Sequence, residues 1–120
     1  MNKVHLETLE GRTTFRPGDA VEGVAGWELE APPKLVEVRL FWHTAGKGDT
    51  DVQIVEAVRF DDAPAVDARI YRFTLPGDGP YSFSGRLITL QWSIELVTKP
   101  GKEVAKLDLT LSPTGEEVRL

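Results

Sequence analysis

Cysteine is absent from the 120 residues, and histidine occurs only twice. Without cysteine there is no disulfide framework, no thiolate metal site and no cysteine nucleophile. A zinc site usually needs four ligands, so here it would combine His5 and His43 with two carboxylates. The sequence therefore predicts no metal and no other cofactor, and the lack of cysteine fits a reducing cytoplasm.

Long apolar runs and a surplus of basic residues are also missing. The longest apolar runs are only a few residues, far short of a bilayer span. The first residues, MNKVHLETLEGR, lack the apolar core of an export signal. We therefore expect a cytoplasmic protein without direct membrane insertion. The net charge of −5 argues against nucleic acid as a partner, because nucleic-acid binding relies on a basic surface.

Helix signals are scarce, and alternation of apolar and polar residues with a period of two dominates instead. Glycine or proline interrupts the pattern at short intervals, as expected between strands. This is typical of an all-β two-sheet sandwich of about seven antiparallel strands in one domain over residues 1–120. The predicted strands are 3–9, 20–30, 35–44, 51–60, 66–75, 85–98 and 103–112, and residues 116–120 could add a short edge strand.

The strand over residues 85–98 organises the predicted core. Its inward face carries Ile88, Leu90, Trp92, Ile94 and Leu96. Trp27 and Trp42 fall on the inward faces of two other strands, so the three tryptophans are predicted to be core residues.

Two Pro-Gly pairs predict type II turns, one over residues 16–19 and one over 99–102, because proline presets φ and glycine takes the positive φ. Glu56 falls in the apolar phase of its strand. It therefore indicates either a bulge near residues 55–57 or a strand at a sheet edge, and the sequence leaves both open.

Catalytic patterns are missing. Ser82, Ser84 and Ser93 stand outside any G-x-S-x-G context and have no histidine at a plausible spacing. The clustered aspartates fit turns better than calcium loops, because aspartate caps the local backbone. We therefore predict that the protein is not an enzyme.

A large apolar residue on a predicted solvent face suggests a protein contact. Phe41 holds such a position and, with Val55 and Ile70, could form a small exposed patch. Arg39 lies on the same predicted face. Arginines 39, 59, 69, 72 and 86 could bind an anionic partner, but cross-strand ion pairs on a solvated face are the more ordinary interpretation. Strand 66–75 is apolar on both faces, so its outer face is either covered or a contact surface.

A second hypothesis concerns a ligand loop. Tyr81 and Phe83 flank Ser82 beside glycines, a composition that could stack on a sugar face together with Phe41. The alternative is that this loop packs onto the end of the sandwich.

Two segments resemble the arrestin family. Residues 15–23, FRPGDAVEG, are similar to the family pattern aromatic-x-Pro-Gly-Asp/Glu-x-Val-x-Gly. Residues 73–76, FTLP, followed by 79–85, GPYSFSG, and then by the strand through Trp92, resemble the run F-x-L-P, P-x-S-F-x-G, aromatic. The resemblance implies an immunoglobulin-like, arrestin-like β-sandwich and a non-catalytic adaptor role. Eukaryotic members pair two such domains, whereas this chain has the length of one.

The leading hypothesis is therefore a non-catalytic, arrestin-like adaptor or scaffold domain with a protein partner. It would act through a strand edge or an outer face, and pairing of edges could also give a homodimer. The alternative is a β-sandwich that binds a small ligand or a carbohydrate.

Overall fold

The computed structural model describes residues 2–46, 50–85, 88–114 and 116–119. These residues form ten strands and one short 3₁₀ turn, Leu9–Gly11. The strands are β1 (Lys3–Thr8), β2 (Thr14–Phe15), β3 (Ala20–Glu28), β4 (Leu35–Gly46), β5 (Thr50–Asp61), β6 (Val66–Thr74), β7 (Phe83–Ser84), β8 (Ile88–Lys99), β9 (Val104–Leu111) and β10 (Val118–Arg119).

The strands form two sheets packed face to face. The smaller sheet has the order β1-β3-β6, and the larger contains β10-β7-β8-β4-β5 with β9 added to β8 and β2 added to β9. The pairs β2–β9 and β7–β10 are parallel, and the other pairs are antiparallel. The predicted all-β two-sheet sandwich is confirmed.

Each of the seven predicted strands corresponds to one long strand of the structure. The largest difference at an end concerns the strand predicted from residue 85, since β8 begins at Ile88. The expected edge strand near the C-terminus is β10. The two-residue strands β2 and β7 were not expected, because a two-residue segment carries no readable alternation.

The core fills the space between the sheets. Trp27 and Trp92 are buried, and their indole N–H groups donate to the carbonyl oxygens of Pro64 at 2.9 Å and Pro80 at 2.7 Å. Each buried indole therefore keeps its polar group satisfied. Trp42 packs against the core but is only half-buried. The prediction that it is a core residue is therefore confirmed in part.

The first Pro-Gly pair forms the predicted type II turn. Gly18 has φ +85°, and the Asp19 N–H donates to the Arg16 carbonyl at 3.0 Å. In the second pair, over residues 99–102, Gly101 takes the predicted positive φ, +90°. Lys102 also has a positive φ, 40°, and the Thr98 N–H donates to the Glu103 carbonyl at 3.0 Å across the connection.

Both interpretations of Glu56 hold. The register between β4 and β5 shifts so that Leu40 faces Glu56 while Phe41 faces Ile54. Val55 is the extra residue of a β-bulge. Because β5 is also the last strand of its sheet, Glu56 follows the apolar phase and still remains exposed to solvent.

Candidate interaction surface

Strand β5 is an open edge. It pairs with β4 on one side, and no strand in the described part of the chain pairs with its other side. All residues of its first two thirds, 50–57, are exposed, whereas Val58 and Phe60 further along pack against the core. The start of β5 therefore projects beyond the region that the smaller sheet covers, with backbone N–H and C=O groups free to accept another strand.

Three apolar side chains lie on this projecting segment. Val52, Ile54 and Val55 are 60%, 48% and 41% exposed, and we refer to them as the β5 apolar edge. Within the register of the sheet, Val52 lies opposite His43 and Ile54 lies opposite Phe41. Clustered apolar exposure at an unpaired edge is the usual mark of a contact surface.

Phe41 has the predicted direction but not the predicted exposure. It lies on the outer face of the larger sheet, the face turned away from the smaller sheet, yet it is only 7% exposed. The reason is that β4 is a central strand, so Ile54 and Ser93 flank Phe41 on both sides, and the His43 ring lies 6.1 Å away along the strand. The expectation of a solvent-exposed Phe41 is wrong.

The four residues predicted as one surface are divided between the two sheets. Arg39 and Val55 belong to the same sheet as Phe41, whereas Ile70 lies on β6 of the smaller sheet. Arg39 is half-buried between Glu37 and Glu95, with its Nη1 at 3.8 Å from Glu95 Oε1. Its charge is compensated, so Arg39 contributes little to an exposed contact.

Three of the other arginines considered from the sequence are paired as well. Arg59 lies 3.7 Å from Asp61, Arg69 lies 2.6 Å from Asp67, and Arg72 lies 3.0 Å from Glu22. The hydrogen bond from Arg69 holds the pKa of Asp67 below its usual value, helped by the Ala68 N–H. Arg86 lies outside the described residues. These pairs favour the solvated face with ion pairs over a binding site for an anionic partner.

The loop with Tyr81 and Phe83 packs onto the end of the sandwich. Both rings are half-buried against the core. Between them Ser82 is buried, its N–H donates to the Leu111 carbonyl at 2.8 Å, and its hydroxyl accepts from the Leu111 N–H at 3.0 Å. The rings are held by packing rather than presented together to a ligand, so the structure favours the packed-loop alternative.

The histidines lie apart on different sheets. The His5 ring covers Gly26 on the smaller sheet, and Nδ1 of His43 on the larger sheet is buried without a hydrogen-bond partner. Within the described ranges, no group of three or more histidine, aspartate or glutamate side chains is arranged to hold a metal ion. The same residues include no helix that is long and apolar enough to cross a bilayer.

Sequence reasoning overlooked Val52 and Ile54, because their alternation looked like that of an ordinary core-facing strand. The irregularity at Glu56 was the available signal. The bulge at Val55 reverses the phase of the alternation. Val52 and Ile54 therefore lie on the outer face of the sheet, opposite His43 and Phe41.

No family model and no curated protein matches the chain. Among solved structures, the chain is similar to Spo0M, sporulation control protein, from Bacillus subtilis, with 16% identity and a TM-score of 0.65 over 92% of this chain and 49% of that one. It is also similar to a β-glucosidase from Listeria innocua, with 10% identity and a TM-score of 0.51 over 98% of this chain and 16% of that one.

Identities this low establish the fold alone. Spo0M has an arrestin-like β-sandwich fold, so the fold predicted from the resemblance is confirmed. The chain spans about half the length of Spo0M.

Proposed function

We propose that this protein is a non-catalytic, arrestin-like adaptor or scaffold domain that binds an extended segment of a protein partner along β5. The observation that carries the proposal is the projecting edge strand, which combines unpaired backbone groups with the β5 apolar edge. Such an edge binds by β-augmentation, in which main-chain hydrogen bonds supply affinity and alternate side chains supply specificity.

The composition of β5 supports this role. Natural edge strands that must stay unpaired are short or carry lysine, proline or inward-pointing charges. This strand has twelve residues, TDVQIVEAVRFD, without lysine or proline. Its exposed valines and isoleucine are the residue types that fit a pleated, half-buried surface. The bulge at Val55 and the inward-facing Glu56 are features that limit pairing, so the segment open to a partner strand is residues 50–54.

The absence of a catalytic arrangement supports the non-catalytic part. Of the three serines considered from the sequence, Ser82 and Ser93 are buried, and Ser93 donates to Asp108 at 2.8 Å. Similarity to a protein described as a sporulation control protein supports a regulatory rather than a catalytic role. We also propose a cytoplasmic location on the basis of the composition.

A matched pair of substitutions tests the proposal. Ile54→Lys places a charge on the β5 apolar edge, and Val104→Lys places the same charge on β9 at nearly equal exposure, 48% against 47%. In affinity capture from a native lysate, we expect a specific partner to be retained by the wild type and by Val104→Lys but lost by Ile54→Lys. Partners lost equally by both variants, or by neither, would contradict binding along β5.

The other strand that could occupy this edge is a second copy of the chain. Antiparallel pairing about a two-fold axis through Ile54, with the bulge residue Val55 skipped in each copy as it is against β4, would set Val52 opposite Ala57 of the second copy and leave no like charges facing each other. Light scattering distinguishes a second copy of the chain from a different protein as the occupant of this edge. A dimer in the wild type that becomes a monomer in Ile54→Lys, but not in Val104→Lys, would identify the second copy as the partner.

A further inference from the structure

A pocket of about 370 Å³ lies on the outer face of the smaller sheet, whereas β5 belongs to the larger sheet. Its floor is the cross-strand row in which Val24 of β3 lies between Glu7 of β1 and Ile70 of β6. Leu9, in the turn after β1, forms another wall. Leu9 and Ile70 are 62% and 79% exposed, so two large aliphatic side chains face water beside a depression of the surface.

Carboxylates line the same pocket. Glu7, Glu10 and Glu22 all contribute to its surface. Glu22 is neutralised by Arg72 at 3.0 Å, whereas Glu7 and Glu10 form no ion pair with any other described residue. The pocket therefore combines exposed aliphatic carbon with two uncompensated negative charges in a protein whose net charge is already −5.

The backbone around the pocket is held in place from below. The Tyr71 hydroxyl donates to the Glu7 carbonyl at 2.9 Å. A Cβ added at Gly23 would lie 1.9 Å from that carbonyl oxygen, so the close approach of β1 needs glycine at this position. Glu10 and Gly11 both take left-handed φ, 58° and 68°, and turn the chain after Leu9. A wall fixed before binding lowers the ordering cost that a ligand must overcome.

We propose that this pocket binds a segment of a partner protein in which a lysine or arginine stands next to an aliphatic residue. Lysine and arginine carry a long aliphatic stem and a cationic head. The stem would lie on Leu9 and Ile70 while the head reaches Glu7 and Glu10. The volume lies near the lower end of the range for ligand pockets, about 300–1,000 Å³, which suits one or two side chains rather than a large cofactor. The site is separate from β5 and does not rest on the function proposed for that edge.

The test is a titration of the ¹⁵N-labelled protein with acetyl-Gly-Leu-Lys-Leu-Lys-Gly-amide, followed by NMR. We expect saturable shifts at the amides of Glu7, Leu9, Val24 and Ile70. The peptide in which both lysines are replaced by glutamate, and the peptide in which both leucines are replaced by glycine, should bind much more weakly. Shifts that are scattered over the surface, or equal for all three peptides, would overturn the proposal.

Substitutions make the test specific to the pocket. Combining Glu7→Gln with Glu10→Gln should weaken binding about fivefold, the effect of losing two exposed ion pairs, and Ile70→Thr should weaken it similarly. The matched control combines Glu28→Gln with Val66→Thr, an acidic and an exposed aliphatic residue that lie opposite each other at the other end of the same sheet. Equal losses in the control would also overturn the proposal.

Two further measurements separate this site from the edge strand. Ile54→Lys should leave the affinity for the peptide unchanged. The peptide titration then tests the pocket by itself, whatever the outcome of the experiments on β5. Raising the salt concentration should weaken binding, because exposed ion pairs are screened. Affinity that is insensitive to salt would contradict a role for Glu7 and Glu10.

Discussion

Leu75 forms hydrogen bonds with Gly18 and Asp19, the last two residues of a turn that lies more than fifty positions earlier in the chain. Its N–H donates to the Asp19 carbonyl at 2.8 Å, and its carbonyl accepts from the Gly18 N–H at 3.2 Å. The FRPGD and FTLP segments, which carry much of the family resemblance, are therefore two halves of one structural unit. Their joint occurrence in the sequence is informative because each half supplies the hydrogen bonds that the other requires.

The Asp19 carboxylate stabilises this unit in a way that depends on pH. Its Oδ2 accepts from the Arg16 N–H at 2.8 Å and from Arg12 at 2.6 Å. The Arg16 hydrogen bond, aided by Arg12, holds the pKa of Asp19 below its usual value. A lowered pKa in the folded state means stability that is present above the unfolded pKa of about 3.9 and lost as pH falls below it.

We therefore expect Asp19→Asn to lower the melting temperature at pH 7, and this difference should shrink as the pH falls below the unfolded pKa and through the lowered pKa of the folded state. Thermal unfolding followed by circular dichroism at several pH values measures this gap, the difference in melting temperature between the two proteins. Asp51→Asn, in the exposed part of β5, is the control and should change little. A gap of constant size from neutral to acid pH would show that the charge of Asp19 is unimportant.

Trp92 is the buried centre of β8, and its truncation should be severe. Trp92→Ala is expected to cost about 3–5 kcal/mol, a large part of the roughly 5–15 kcal/mol by which a domain is stable. We expect a largely unfolded or insoluble protein. Trp42→Ala, at a half-buried position, should remain folded with a smaller loss. Urea unfolding compares the two, and a soluble Trp92→Ala protein with unchanged stability would contradict the assigned core.

Gly23 and Gly26 of β3 each lie close to another group, which is rigid backbone at Gly23 and a flexible side chain at Gly26. A Cβ at Gly23 would meet the Glu7 carbonyl at 1.9 Å, whereas a Cβ at Gly26 would meet the His5 ring at 2.1 Å. Backbone cannot move aside cheaply, but an exposed imidazole can rotate away. We expect Gly23→Ala to destabilise by about 1–3 kcal/mol or more and Gly26→Ala by clearly less. Equal values from denaturant unfolding would argue against the close approach at Gly23.

Burial raises the pKa of Tyr71 to about 12, with a smaller effect from the Glu7 charge. The unfolded chain ionises near 10, so this tyrosine favours unfolding progressively as pH rises from about 10 toward 12. The contribution is at most about 3 kcal/mol, from a shift of two pH units. In Tyr71→Phe, which cannot ionise, we expect a flatter decline of stability between pH 9 and pH 12 by urea titration. Parallel curves for the two proteins would refute the assignment.

Alternation predicted the strands and the faces well because it reports the direction of each side chain. It could not report what covers a face. Phe41 points outward as expected, but neighbouring strands bury it, and strand order is not encoded in a local pattern. Likewise, Val52 and Ile54 share the apolar phase of Val58 and Phe60 in the sequence, but the bulge at Val55 turns them to the outer face of the sheet. At the turn over residues 99–102, Gly101 takes the positive φ that the Pro-Gly pair predicts, whereas the left-handed conformation of Lys102 is not signalled by its identity.

The strands of the larger sheet are longer than those of the smaller sheet, and this separates residues that must be conserved for folding from residues that are free to change their contacts. Strands β4, β5 and β8 have twelve residues each, whereas β1, β3 and β6 have six to nine. The proposed contact residues at the start of β5, Val52, Ile54 and Val55, are exposed and support almost none of the core. Mutations there can change partner preference at little cost to folding, so related proteins with this sandwich should diverge fastest at the start of β5 while Trp27 and Trp92 stay constrained.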